Sequence, residues 1–220
     1  MNGGREMNKE NITGWRKLVR NQNEFFAALL MTFATVLSAW CGYQSTRWNG
    51  QQSILMGETA ALRTEATQKV NLAGQEAIID INMFEQYYRA IIEGRKDTER
   101  IILQRFRPEA RIAVDAWLAT DPQKNPNAPK GPFTMKEYRP RLAEEADALS
   151  RDADQKFSQA RDASARVDEY ILLTVMLSLV LFFCGLATHF TSARIQAATL
   201  VFATVLFLVA VFVLLGMPTA

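Results

Sequence analysis

Apolar residues are spaced in two ways along this chain, and the change from one to the other predicts its architecture. From Pro140 the apolar positions Leu142, Ala146, Leu149, Ala153, Phe157, Ala160, Ala163, Val167 and Tyr170 recur in steps of three and four. Their mean of about 3.5 is the spacing of a helix that buries one seam against another helix. After Tyr170 the alternation ends. Residues 170–190 contain no Asp, Glu, Lys or Arg, and neither do residues 25–46 and 195–218. Each run is long enough to cross a bilayer as a helix, so three transmembrane helices are expected. No Gly or Pro interrupts the passage from seam to apolar run at residue 170, so one helix is expected to serve both.

A second seam precedes the first: Leu62, Ala66, Val70, Ala73, Ala77, Ile81, Phe84, Tyr88 and Ile91, with Asn49-Gly50 as a candidate kink before it. Acid-before-base pairs one turn apart (Glu65 and Lys69, Glu85 and Arg89, Asp147 and Arg151, Asp152 and Lys156, Asp162 and Arg166) fit solvated helical faces. The fold class predicted is therefore an all-α membrane protein. It has three transmembrane helices, with a long coiled-coil-like helical hairpin and a small helical cap between spans one and two. In order, the expected parts are a basic segment 1–24, span 25–46, outgoing arm 47–93, cap 94–139, returning arm 140–169, and spans 170–190 and 195–218.

Within the cap, Gly94 is expected to stop the arm and Asp97 to N-cap a short helix through Phe106. Pro108 suits the first turn of another helix, with Ala113, Ala116, Trp117 and Thr120 on one face. Residues 121–132, with four prolines in twelve, predict a loop. Thr134 and Glu137 form a capping-box pattern, with Phe133 and Tyr138 as its hydrophobic staple. Pro140 either ends that helix or starts the returning arm.

Composition sharpens this picture. The chain has 220 residues, 49% hydrophobic and 22% charged, with a net charge of +2. A near-neutral total gives no basis for a nucleic-acid partner. Both cysteines, Cys41 and Cys184, fall inside spans as small packing residues. The first apolar run exceeds a signal-peptide core and lacks a small-x-small cleavage site at Trp40-Cys41-Gly42-Tyr43, so it is expected to stay. Ala28, Thr32, Thr35, Ala39, Gly42 and Thr46 make a narrow face of small side chains in that span, of the kind helices pack through in lipid. Residues 1–24, basic with Ile12, Trp15, Leu18 and Val19 at helical spacing, read either as a helix on an anionic membrane surface or as a frayed tail. Asn11-Ile12-Thr13 matches a glycosylation sequon. Five bases before the first span and Arg194 between the last two place the N-terminus in the cytoplasm and residues 47–169 outside it.

Candidate chemistry is sparse. His189 lies alone at the edge of the second span, where an interfacial anchor is the simplest role. Asp121, Gln123, Asn125 and Asn127 have calcium-loop spacing but Pro126 stands where the turn glycine belongs. No catalytic, metal or cofactor motif is present, and a non-enzymatic protein is expected. Arg105, Arg107 and Arg111, in a basic run, are candidates for binding an anion or a protein partner, against intrachain ion pairing. Hydroxyls at Thr32, Thr35, Thr174, Ser178, Thr199 and Thr204 are candidates for packing the spans or lining a conduit.

The stretches WCGYQSTRWNGQQ, FRPEARIAVDAWLATDPQKNPNAPKGPFTMKEY and LFFCGLATHF resemble an uncharacterised family of bacterial three-span membrane proteins. The resemblance implies a bacterial inner-membrane location and carries no catalytic residues. The order of one span, an aqueous segment and a two-span hairpin is also similar to that of proton-channel subunits of the Tol, Exb and Mot stator type. Those resemble one another in an intramembrane carboxylate, which all three spans here lack. The expectation is a homo-oligomeric scaffold or interaction protein in the lipid bilayer, with an unidentified protein partner at the cap. The alternative is a subunit of an oligomeric channel or transporter.

Overall fold

The computed structural model describes residues 3–220, with side chains from Asn21 onward, so the surface-helix and sequon readings of the N-terminal segment lie outside the described side chains. The described residues form five α-helices and no strand: α1 (Gly3–Ile92), α2 (Lys96–Leu103), α3 (Pro108–Leu118), α4 (Arg141–His189) and α5 (Ala193–Leu215), with one 3₁₀ turn at Pro132–Thr134. Three of them, α1, α4 and α5, contain segments long and apolar enough to cross a membrane. The chain divides into two compact units, residues 1–54 with 159–220, and residues 55–158.

The first unit joins the apolar parts of α1, α4 and α5. Its core is Ala27, Leu30, Ala34 and Cys41 from α1, Leu173, Leu177, Val180, Cys184 and Ala187 from α4, and Leu200, Ala203 and Ala210 from α5. This differs from the expected packing face of the first span. Ala28, Thr32, Thr35, Ala39, Gly42 and Thr46 are all exposed within the chain. The face turned inward is itself mostly small, Ala27, Ala34 and Cys41 with Leu30 and half-buried Leu37, while Phe25, Phe33, Val36 and Trp40 point outward. The hydroxyl face of α4 is likewise displaced from the core by Leu173, Leu177 and Val180.

Polar contacts lie at both ends of this bundle. Asn23 Nδ2 donates to Gln196 Oε1 at 3.4 Å, and Gln196 is buried. At the other end the backbone N–H of Ala220 donates to buried Gln44 (3.1 Å), and the Tyr170 hydroxyl donates to the Pro218 carbonyl (3.1 Å). Asn23 and Gln44 stand about 31 Å apart along α1 at 1.5 Å per residue, close to the hydrocarbon thickness of a bilayer.

In the second unit, α1 buries Thr59, Ala66, Ala73, Asp80 and Tyr87, one residue in every seven, and α4 buries Ala146 and Ala153 in the same rhythm. The small alanines let the helices approach. Three ion pairs cross between them: Glu58 with Lys156 (2.7 Å), Arg63 with Asp154 (3.4 Å) and Lys69 with Glu145 (2.6 Å). As one number rises the other falls, so the helices run antiparallel. The expected seam is corrected at Val70 and Ile81, which are exposed, because the adjacent Lys69 and Asp80 turn inward to charged and hydrogen-bonding partners. Of the expected local pairs, Glu85–Arg89 forms (3.1 Å), whereas Lys69 and Lys156 reach the opposite helix and Arg166 turns to Glu169.

Four local expectations meet the backbone here. Helix α1 passes through Asn49-Gly50 unbroken; one interior glycine costs only about 1 kcal/mol, far less than a 90-residue helix absorbs. Gly94 does end α1, with φ +68°, its own N–H donating to Ile91 and the N–H of Arg95 to Ala90. Asp97 is not an N-cap: that position falls to Arg95, α2 stops at Leu103, and Asp97 bonds Arg100 from the first turn (3.1 Å). The capping box at Thr134 is also replaced. Met135 is extended, and the Thr134 hydroxyl donates back to the Gly131 carbonyl (2.8 Å), while the expected staple rings Phe133 and Tyr138 do meet (4.9 Å). Pro140 restarts the chain as α4, its carbonyl accepting from Ala143 and Glu144.

Candidate functional site

The second unit closes around Asp80, a carboxylate with no exposed surface. It points from α1 towards the start of α3, where Arg107 holds the extended conformation that precedes Pro108 (φ −63°, ψ 151°). That geometry aims the guanidinium back at α1. Arg107 donates Nε to Asp80 Oδ1 at 3.1 Å and Nη2 to Oδ2, a bidentate pair, and Nη1 donates to Glu76 one turn earlier. The Tyr138 hydroxyl donates to the same Asp80 oxygen, Oδ2, at 2.9 Å. One buried carboxylate thus ties together α1, the start of α3 and the segment that leads into α4.

Charges held this way shift the groups around them. The hydrogen bond to Asp80 is the largest cause raising Arg107 above the usual arginine value, so it stays charged at every working pH. Burial, then the bond to Asp80, raises the Tyr138 phenol well above an ordinary tyrosine. The arrangement is a closed ion pair with its lone pairs satisfied, the form in which buried charge is tolerated.

An aromatic cluster continues from it. Phe84 meets Trp117 edge-on (5.2 Å between centroids) and Phe133 likewise (5.7 Å), Tyr88 meets Trp117 (5.6 Å), Tyr87 meets Phe106 (5.7 Å), and Phe133 meets Tyr138 (4.9 Å). The rings are T-shaped. Trp117 also donates its indole N–H to the Pro129 carbonyl at 2.7 Å, which pins the proline-rich loop to α3. The buried face of α3 is Ala110, Ala113, Val114 and Trp117; Ala116 and Thr120 are only half-buried.

The three candidate arginines do not converge on an open anion site. Arg107 is committed to Asp80 and Glu76. Arg111 is held by Asp115 through two bonds (2.9 and 2.8 Å) and by the Leu103 carbonyl that ends α2 (2.9 Å). Arg105 is exposed. The hydroxyls of Thr32, Thr35, Thr174, Ser178, Thr199 and Thr204 each donate to the carbonyl four residues back on their own helix, at 2.7–3.0 Å. His189 is exposed in the last turn of α4. In the loop after α3, Asn125 and Asn127 form a turn in which the Asn125 side chain accepts from the Asn127 N–H (3.0 Å). Among the described residues no three of His, Cys, Asp and Glu come together as a metal group.

Sequence reading missed Asp80, and it named Tyr138 only as the staple partner of Phe133, not as a donor to Asp80. Asp80 falls one residue from Ile81, which matched the apolar rhythm, and an acid in a seam is read as a solvated neighbour. The available signal was the sevenfold series Thr59, Ala66, Ala73, Asp80, Tyr87. No family model, curated protein or solved structure matches the chain.

Proposed function

We propose that this chain is a non-enzymatic membrane scaffold: a homo-oligomer whose subunits carry a coiled-coil stalk ending in a small helical cap, outside the bacterial inner membrane. The observation that carries the reading is Asp80. A fully buried charge held by Arg107 and Tyr138 joins three chain segments. A closed ion pair of this kind suits an element that presents a surface, rather than one that opens around a substrate. The sevenfold burial in α1 and the three ion pairs to α4 support the stalk. The distribution of bases supports a cytoplasmic N-terminus with residues 47–169 on the opposite side. The family resemblance supports the bacterial inner membrane.

The test is the mass of the full-length protein in lipid nanodiscs, with particle images of the same sample. A multi-copy particle bearing a narrow extramembrane projection is expected. A single-copy particle at all concentrations rejects the oligomeric scaffold.

A further inference from the structure

The outer faces of α1 and α4 in the second unit are chemically opposite. Helix α4 turns Glu144, Asp147, Arg151 and Asp152 to solvent, as a water-exposed helix normally does. The face of α1 that points away from α4 has no charge at all between Gly57 and Asn82. Gly57, Thr64, Asn71 and Ile78 recur every seventh residue, and each neighbour three or four positions on is also uncharged. All four are exposed, Ile78 to 61%. The charged residues of this segment, Glu58, Arg63, Glu65, Lys69, Glu76 and Asp80, lie on the other side of the helix, towards α4 or flanking it.

We infer that this charge-free face of α1 is where a second copy of the chain docks, parallel and in register. The inference rests on the oligomeric reading above and specifies its contact. Copies inserted in one bilayer share an orientation, so at a two-fold contact each residue meets its own counterpart. A charged residue on such a face would meet a like charge and repel. A face that must pair with itself therefore has to lack charge, whereas a partner of different sequence imposes no such rule. Asn71 and its copy supply the amide pair that, placed in a helix seam, fixes register and favours a parallel arrangement. The glycines at 57 and 74 leave open space above their Cα atoms, which permits close approach. The strip is about 38 Å long and a helix about 10 Å wide, so each copy covers roughly 400 Å². That is half the share of a stable free complex. Shared anchoring in the bilayer raises the effective concentration and compensates.

The test uses full-length protein in liposomes carrying Cys41→Ala and Cys184→Ala, with one cysteine added at a time. Thr64→Cys and Asn71→Cys lie on the face, and Glu65→Cys and Val70→Cys flank it on either side. Mild oxidation is expected to give disulfide-linked dimers at the two face positions, several-fold above the flanking ones. Adding Asn71→Glu to the Thr64→Cys protein is expected to abolish its dimer band; Asn71 is exposed in the single chain, so helical circular dichroism is unchanged. If flanking positions crosslink as well as face positions, or Asn71→Glu has no effect, while nanodisc mass still shows several copies, this contact is wrong and the scaffold stands. When the Gly57→Cys and Asn82→Cys proteins are reconstituted together, disulfides joining residue 57 of one to residue 82 of the other mean antiparallel pairing and overturn the register. A single-copy mass overturns both.

Discussion

Asp80 has no exposed surface, and its two partners come from segments 27 and 58 residues away in sequence. Removing Asp80 leaves the half-buried Arg107 with Glu76 alone and the Tyr138 hydroxyl without its acceptor. Asp80→Ala is therefore expected to destabilise the second unit by about 3 kcal/mol, measured by denaturant unfolding in detergent. Tyr138→Phe removes only the neutral donor, and a loss of about 1.5 kcal/mol is expected in the same measurement. The two variants also differ in alkali. The phenol's ionisation is raised in the folded protein, so its contribution is complete below about pH 10, the ordinary tyrosine value, and is lost as pH rises through the higher folded one. Wild-type protein is expected to lose melting temperature on that side more steeply than Tyr138→Phe. Equal slopes would show that the phenol is not held as described.

At the level of elements, the end of α1 depends on one backbone angle. Gly94 sits at φ +68°, and a Cβ there would touch nothing, so Gly94→Ala isolates the conformational cost. A loss of about 1 kcal/mol is expected, with Gly94→Asn milder because asparagine tolerates this region. A neutral Gly94→Ala would mean that α1 ends in some other way. Between α1 and α4, the Lys69 hydrogen bond holds Glu145 below the usual glutamate value, with Arg141 adding to it. This contribution is present above the ordinary carboxyl range, near pH 4.3, and is lost as pH falls through the lower folded value. Acid melts of wild type and Glu145→Gln are expected to converge below that range. Both partners are about one-third exposed, so salt is expected to shrink the difference.

For the whole molecule, the polar contacts at Asn23–Gln196 and Gln44–Ala220 define a slab about as thick as bilayer hydrocarbon. Phe33, 55% exposed and midway between Asn23 and Gln44, is expected to sit at its centre. Spin labels at 33 should show high oxygen and low nickel-chelate accessibility, and labels at 21 and 51 the reverse. A water-accessible label at 33 would remove the first span.

Three apolar runs, the unbroken passage through residue 170 and the stop at Gly94 were legible in the sequence alone, which left Pro140 open between a stop and a restart. Each is set by nearest neighbours along the chain: run length against bilayer thickness, or the backbone freedom of glycine and proline. What only the tertiary structure decided is which face each helix turns inward. Local rhythm placed Val70 and Ile81 in the seam and the small residues of the first span in the packing face. The fold instead buries Asp80, because Arg107 and Tyr138 arrive from distant segments to satisfy it, and turns inward a second small-residue face of the first span, Ala27, Ala34 and Cys41 beside Leu30, because α4 and α5 pack there. A polar residue's burial depends on partners that no local pattern names, and this is why Asp80 became visible only once the chain was folded.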